Sequence, residues 1–134
     1  MKNLDNKINN IFSSIDFLAP WLIRLGLGIA FMLYGYSKFP LPPQGLVGFG
    51  MPIFLANFVA LSEVFAGFII IFGGLISNHI GNLLTRLGGL MIVVIMVFAF
   101  SLAHQDWFIT AKLFKSVQIF LFLTGGYFMI KGNK

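Results

Sequence analysis

Cysteine is absent from this 134-residue chain, which excludes a disulfide, a thiol redox step, a cysteine-ligated zinc and an iron–sulfur cluster held by the chain itself. Thiol–disulfide exchange and vitamin K reductase-like chemistry go with it. Charge is scarce too: Asp, Glu, Lys and Arg make up 10% of residues, four acids against nine bases. The two histidines, His79 and His104, fall where the spans place them on opposite sides of a membrane, so they cannot share a metal. No haem-ligating pair at membrane depth, dinucleotide glycine motif, P-loop or nucleophile–base set is present. These gaps argue against a self-sufficient enzyme, and no convincing repeat or low-complexity tract replaces them.

Apolar residues dominate what is there. At 58% hydrophobic and a mean hydropathy of +0.93, the chain fits a polytopic membrane protein. Four runs are each long enough to cross a hydrocarbon core, which needs roughly 20 residues of helix: Leu18–Phe39, Ile53–Ile76, Leu83–Ala103 and Leu113–Ile130. Pro20 suits a first helical turn, Pro40, Pro42 and Pro43 forbid continuation of the first span, and Pro52 can open the second. Leu41–Met51 is expected as a loop, Ser77–Gly81 as a short turn, and His104–Trp107 as the start of a longer link. Spans so closely connected pack as antiparallel neighbours. The expected fold is therefore all-α, a transmembrane four-helix bundle over residues 18–134.

The net charge of +5 reflects topology rather than a nucleic-acid patch, because the bases stand at the ends of apolar runs where phospholipid headgroups lie. One side collects Lys2, Lys7, Arg24, Arg86, Lys131 and Lys134; the other has Lys38, Lys112 and Lys115. The positive-inside rule then puts both termini in the cytoplasm. Trp21, Tyr34, Tyr36, Trp107 and Tyr127 fall near the expected interfaces. Residues 1–17 precede the bundle, with Leu4, Ile8, Ile11, Phe12 and Ile15 at helical spacing among polar residues. That pattern suits a short amphipathic helix on the cytoplasmic face or a disordered tail. A cleaved signal peptide fits less well, because the apolar run is too long and lacks a small-x-small site.

Glu63 carries the most chemical information. It is the only charge between Lys38 and Arg86 and lies within the apolar run Ile53–Ile76. An acid at membrane depth costs a few kcal/mol and marks a candidate functional site. Arg24, Gly28, Phe31, Gly35 and Lys38 share one helix face, and Ala56, Ala60, Glu63, Gly67 and Gly74 share another. Small residues permit close approach of membrane helices, and polar groups among them find partners across the contact. Side chains lean towards the N-terminus of their own helix. Lys38 therefore leans back into the membrane and Glu63 leans towards it, across an axial offset of about 13 Å. A Lys38–Glu63 pair is expected first and Arg24–Glu63 second, with Arg24 otherwise snorkelling as an interface anchor. Such a pair serves either chemistry or helix register. Asn57 and Ser62 flank Glu63, and Gln118 lies in the last span; each is expected to hydrogen-bond or line a cavity. Asp106 and His104 are read as interfacial and solvated, Gly88-Gly89 and Gly125-Gly126 as close-packing points, and the 17 Phe and 6 Met as filler that would also suit an isoprenoid tail.

Leu22–Phe31, with its Arg-Leu-Gly opening, Tyr34-Gly-Tyr-Ser-Lys-Phe39, the loop ending Gly48-Phe-Gly-Met-Pro52, and Glu63 followed by Gly67 and Gly73 resemble the DoxX family of small four-helix membrane proteins. The likeness covers roughly Ala19 to Leu75. It carries over Arg24, Gly28, Gly35, Lys38, Glu63 and Gly67. It implies a multi-pass bacterial or archaeal plasma-membrane protein that acts as an accessory subunit of a quinone-linked oxidoreductase complex. The expected cofactor is quinone, bound non-covalently by Lys38, Glu63, Arg24, Gly35 and Asn57, with Glu63 as candidate proton relay. No metal is expected. Expected partners are the bilayer, a membrane or redox protein and a second copy of the chain. Two alternatives stand beside this reading: a small proton-coupled transporter of a lipophilic substrate, and a structural assembly factor.

Overall fold

The computed structural model describes residues 1–103, 106 and 110–133, so the expectations for His104, Trp107 and Lys134 lie outside the described residues. Its elements are helices: α1 (Lys2–Ser13), α2 (Leu18–Tyr36), α3 (Gln44–Gly48), α4 (Ile53–Leu75), α5 (His79–Leu102), α6 (Ala111–Lys115) and α7 (Val117–Lys131). Three of them, α2, α4 and α5, are long and apolar enough to cross a membrane. Their outer faces carry large bare side chains, Phe54 at 82% exposure among them. Water would penalise such a surface heavily, whereas lipid accommodates it. This is a helical membrane protein.

Local chemistry sets the ends. After Tyr36 the chain tightens through Lys38 N–H to Gly35 O and Phe39 N–H to Tyr36 O, because Pro40 can donate nothing and disfavours a helical residue before it. Lys38 thus stands in the turn beyond α2, not inside a span reaching Phe39. Pro52, extended at ψ 144°, caps α4. The Leu41–Met51 loop contains the single turn α3. Helix α5 begins at His79, four residues before the expected Leu83, because Asn78 is an N-cap: its Oδ1 accepts from Ile80 N (2.9 Å) and Gly81 N (3.2 Å). Gly81 permits the tight entry, since a Cβ there would strike Ile76 O.

The fourth apolar run departs most from expectation. Ser116, extended at ψ 149°, separates α6 from α7, and its Oγ donates to Leu113 O at 2.6 Å. A serine that bonds the preceding turn competes with helix propagation. Helix α7 keeps 15 residues, a rise of about 22 Å.

Helix α2 packs against α4, α4 against α5 and α5 against α7, with a slight contact returning from α7 to α2. Leu27, Phe31, Ala66, Ile70, Ile92, Met96, Phe100, Leu121 and Phe128 form the core. The α2–α4 contact is intimate: a Cβ at Gly35 would lie 2.8 Å from both Ala60 O and Val64 N, and one at Gly28 would lie 2.9 Å from Gly67 O. The two small-residue stripes therefore meet backbone to backbone. Helix α1 buries no residue and packs against no other described helix. Its apolar stripe of Leu4, Ile8, Ile11, Phe12 and Ile15 is exposed.

Candidate functional site

Close approach of α2 and α4 seals the Glu63 carboxyl from both sides, with Gly35 fitting over Ala60 on one flank and Gly67 against Gly28 and Met32 on the other. Glu63 is only 6% exposed. Its Oε2 accepts from Lys38 Nζ at 2.5 Å, and the same Nζ donates to Tyr34 O at 3.2 Å. Lys38 therefore folds back over the end of α2, sharing the Tyr34 carbonyl with Ser37 Oγ (2.7 Å) while reaching across to α4. This is the geometry that opposed side-chain lean requires. The ammonium has three N–H donors, and these two bonds leave one available.

Lys38 also borders an open recess of about 530 Å³ formed with Phe39, Pro40, Pro42, Gln44 and Phe49. Glu63 is not part of its wall and communicates with it through Lys38. Gly35, Lys38 and Glu63 thus come together. Asn57 stands nearly two turns from Glu63 along α4, its Oδ1 buried with no hydrogen-bond partner among the described residues.

Arg24 goes elsewhere. It lies 14 residues from Lys38, about 21 Å along a helix, and makes no bond to Glu63. Nor does it snorkel into water: it is 4% exposed. Nη1 donates to Ile70 O (2.5 Å) and Thr85 Oγ1 (3.0 Å), and Nη2 to Asn133 Oδ1 (2.9 Å). The guanidinium carbon lies 4.6 Å from the Phe128 ring centroid and 5.6 Å from that of Trp21, within cation–π range. Gly74 makes room, since a Cβ there would fall 2.6 Å from Arg24 Nε.

Thr85, Asn82 and Asn133 complete a second polar cluster that the sequence reading missed. Thr85 Oγ1 donates to Asn133 Oδ1 (2.6 Å), Asn133 Nδ2 to Gly73 O (2.8 Å), and Asn133 N to Asn82 Oδ1 (2.9 Å). The cluster joins α2, α4, α5 and the residues after α7. One signal was available: Gly81, Thr85, Gly88 and Ile92 recur at helical spacing as a buried stripe. Asn133, in a polar tail, gave none. Asp106 pairs with Lys112 at 3.5 Å, with both side chains exposed, an arrangement that contributes little.

No family model matches this chain, and no curated protein or solved structure matches it.

Proposed function

We propose that this chain is a DoxX-like multi-pass protein of a bacterial or archaeal plasma membrane, a transmembrane four-helix bundle with both termini cytoplasmic, acting as an accessory subunit of a quinone-linked oxidoreductase complex. The observation that carries the reading is the Lys38–Glu63 pair beside an open, largely apolar recess. A quinone carbonyl accepts hydrogen bonds, and the remaining Lys38 N–H is a donor at the recess wall. Phe39, Pro40 and Phe49 offer the ring an apolar seat. Glu63, bonded to Lys38, is the candidate proton relay, and the electrons for quinone reduction come from a partner's redox centres.

In membranes with normal protein levels, Glu63→Gln is expected to alter quinone-dependent turnover. Purified wild-type protein is expected to retain decylubiquinone that Lys38→Met releases. Unchanged turnover together with unchanged retention would refute the proposal.

A structural reading is favoured by one observation: Glu63 is already engaged and does not line the recess. On that reading the ion pair fastens α2 to α4 in an assembly factor. Glu63→Gln then lowers protein abundance and leaves the turnover per molecule of complex unchanged.

A further inference from the structure

The end of α2 away from Lys38 holds a second recess, of about 540 Å³, walled by Asp16, Phe17, Trp21, Arg24, Tyr127 and Lys131 among others. Its charge is unbalanced. Arg24 is buried yet bonded only by neutral oxygens, those of Ile70, Thr85 and Asn133, with no carboxylate bound to it among the described residues. A guanidinium has five N–H donors, more than these three bonds use. Lys131 adds a second positive charge and Asp16 a single negative one, so the lining keeps a net charge of plus one. A buried cation without a counter-ion is a costly arrangement that an anionic ligand relieves.

The rim identifies the kind of anion. Phe17 is 66% exposed and Ile23, also in the wall, is 43% exposed; an inorganic ion has no use for such surface, but an acyl chain does. Trp21 and Tyr127 are the ring types that settle at headgroup level. Basic pockets between membrane helices accept anionic headgroups.

We propose that this recess is a binding site for one anionic phospholipid, whose phosphodiester oxygens accept from Arg24 and Lys131 while its acyl chains lie along the apolar rim. The site is independent of the quinone reading, because it shares no residue with the Lys38 recess.

The test uses the full chain carrying Trp107→Phe, which leaves Trp21 as the one indole, reconstituted in phosphatidylcholine vesicles. Quenching of Trp21 is compared between brominated phosphatidylglycerol and brominated phosphatidylcholine at equal mole fraction. The expected preference for phosphatidylglycerol is about five-fold, the effect of one basic residue near a membrane surface. Lys131→Gln should abolish most of it, while Lys7→Gln, the same charge change on α1, should leave it in place. Arg24 is kept intact because it ties three helices together. Equal quenching by the two lipids would overturn the proposal. So would an equal loss in Lys7→Gln, which indicates surface charge alone, or reversal of the quenching by millimolar inorganic phosphate, which indicates a free-anion site.

Discussion

Gly67→Ala should loosen the contact between α2 and α4 that shelters Glu63. The new Cβ would meet Gly28 O, and both Met32 N and Met32 Cγ at 2.9 Å. Two of these three atoms are backbone, so a rotamer change cannot relieve the contact and α2 must move. Restoring the ordinary 3.4–4 Å separation requires a shift of half an ångström or more. Overpacking of this kind costs about 1–3 kcal/mol, partly offset by the roughly 0.5–1 kcal/mol that alanine gains over glycine within a helix. Gly26, also inside α2, provides the control, because a Cβ there meets nothing within 4 Å. Gly26→Ala should therefore show only the gain. Two chemically identical substitutions are expected to differ by about 1–3 kcal/mol in stability, measured by thermal or detergent denaturation followed by circular dichroism. Decylubiquinone retention should fall in Gly67→Ala alone, because moving α2 draws Lys38 away from Glu63. If Gly67→Ala proved as stable as Gly26→Ala, the backbone-to-backbone contact would be disproved, and with it the shelter assigned to Glu63.

Exchanging the charges tests the pair itself: Lys38→Glu should lower the amount of folded protein by leaving two acids together, and Lys38→Glu with Glu63→Lys should restore part of it, as read by fluorescence-detected gel filtration. At the other cluster, Arg24→Lys replaces a planar fork with a point charge that cannot serve Ile70 O, Thr85 Oγ1 and Asn133 Oδ1 in the same way. Its stability loss should be non-additive with that of Asn133→Ala, with a coupling of about 0.5–3 kcal/mol; simple additivity would separate the two residues. Asn78→Ala should cost about 1 kcal/mol by removing the cap of α5, whereas Asp106→Asn should change stability by less than about 1 kcal/mol because its partner is exposed.

What the sequence made legible, and what it hid, divides along a physical line. Long apolar runs fix spans because backbone polar groups in lipid must bond within their own helix, so α2, α4 and α5 were found with ends displaced by a few residues. The displacements trace to single side chains whose bonds are local: Asn78 starts α5 early, and Ser116 breaks the helix expected over Leu113–Ile130, which resumes at Val117. The Lys38–Glu63 contact was legible because it follows from two helix directions and the lean of a Cα–Cβ bond, which are properties of each element alone. Arg24 was misplaced for the complementary reason. Snorkelling was expected because its own helix offers it nothing but a route to water. Its actual acceptors are the hydroxyl of Thr85, the amide of Asn133 and the carbonyl of Ile70, neutral groups from other elements that carry no sign of attraction in a sequence. A charge announces the need for a partner, but a neutral partner does not announce itself. The two clusters also differ in consequence. Lys38 meets its counter-charge within the protein and keeps one donor at its recess, whereas Arg24 is hydrogen-bonded only by neutral oxygens. On the two proposals, the first arrangement serves a neutral carbonyl compound and the second an anion.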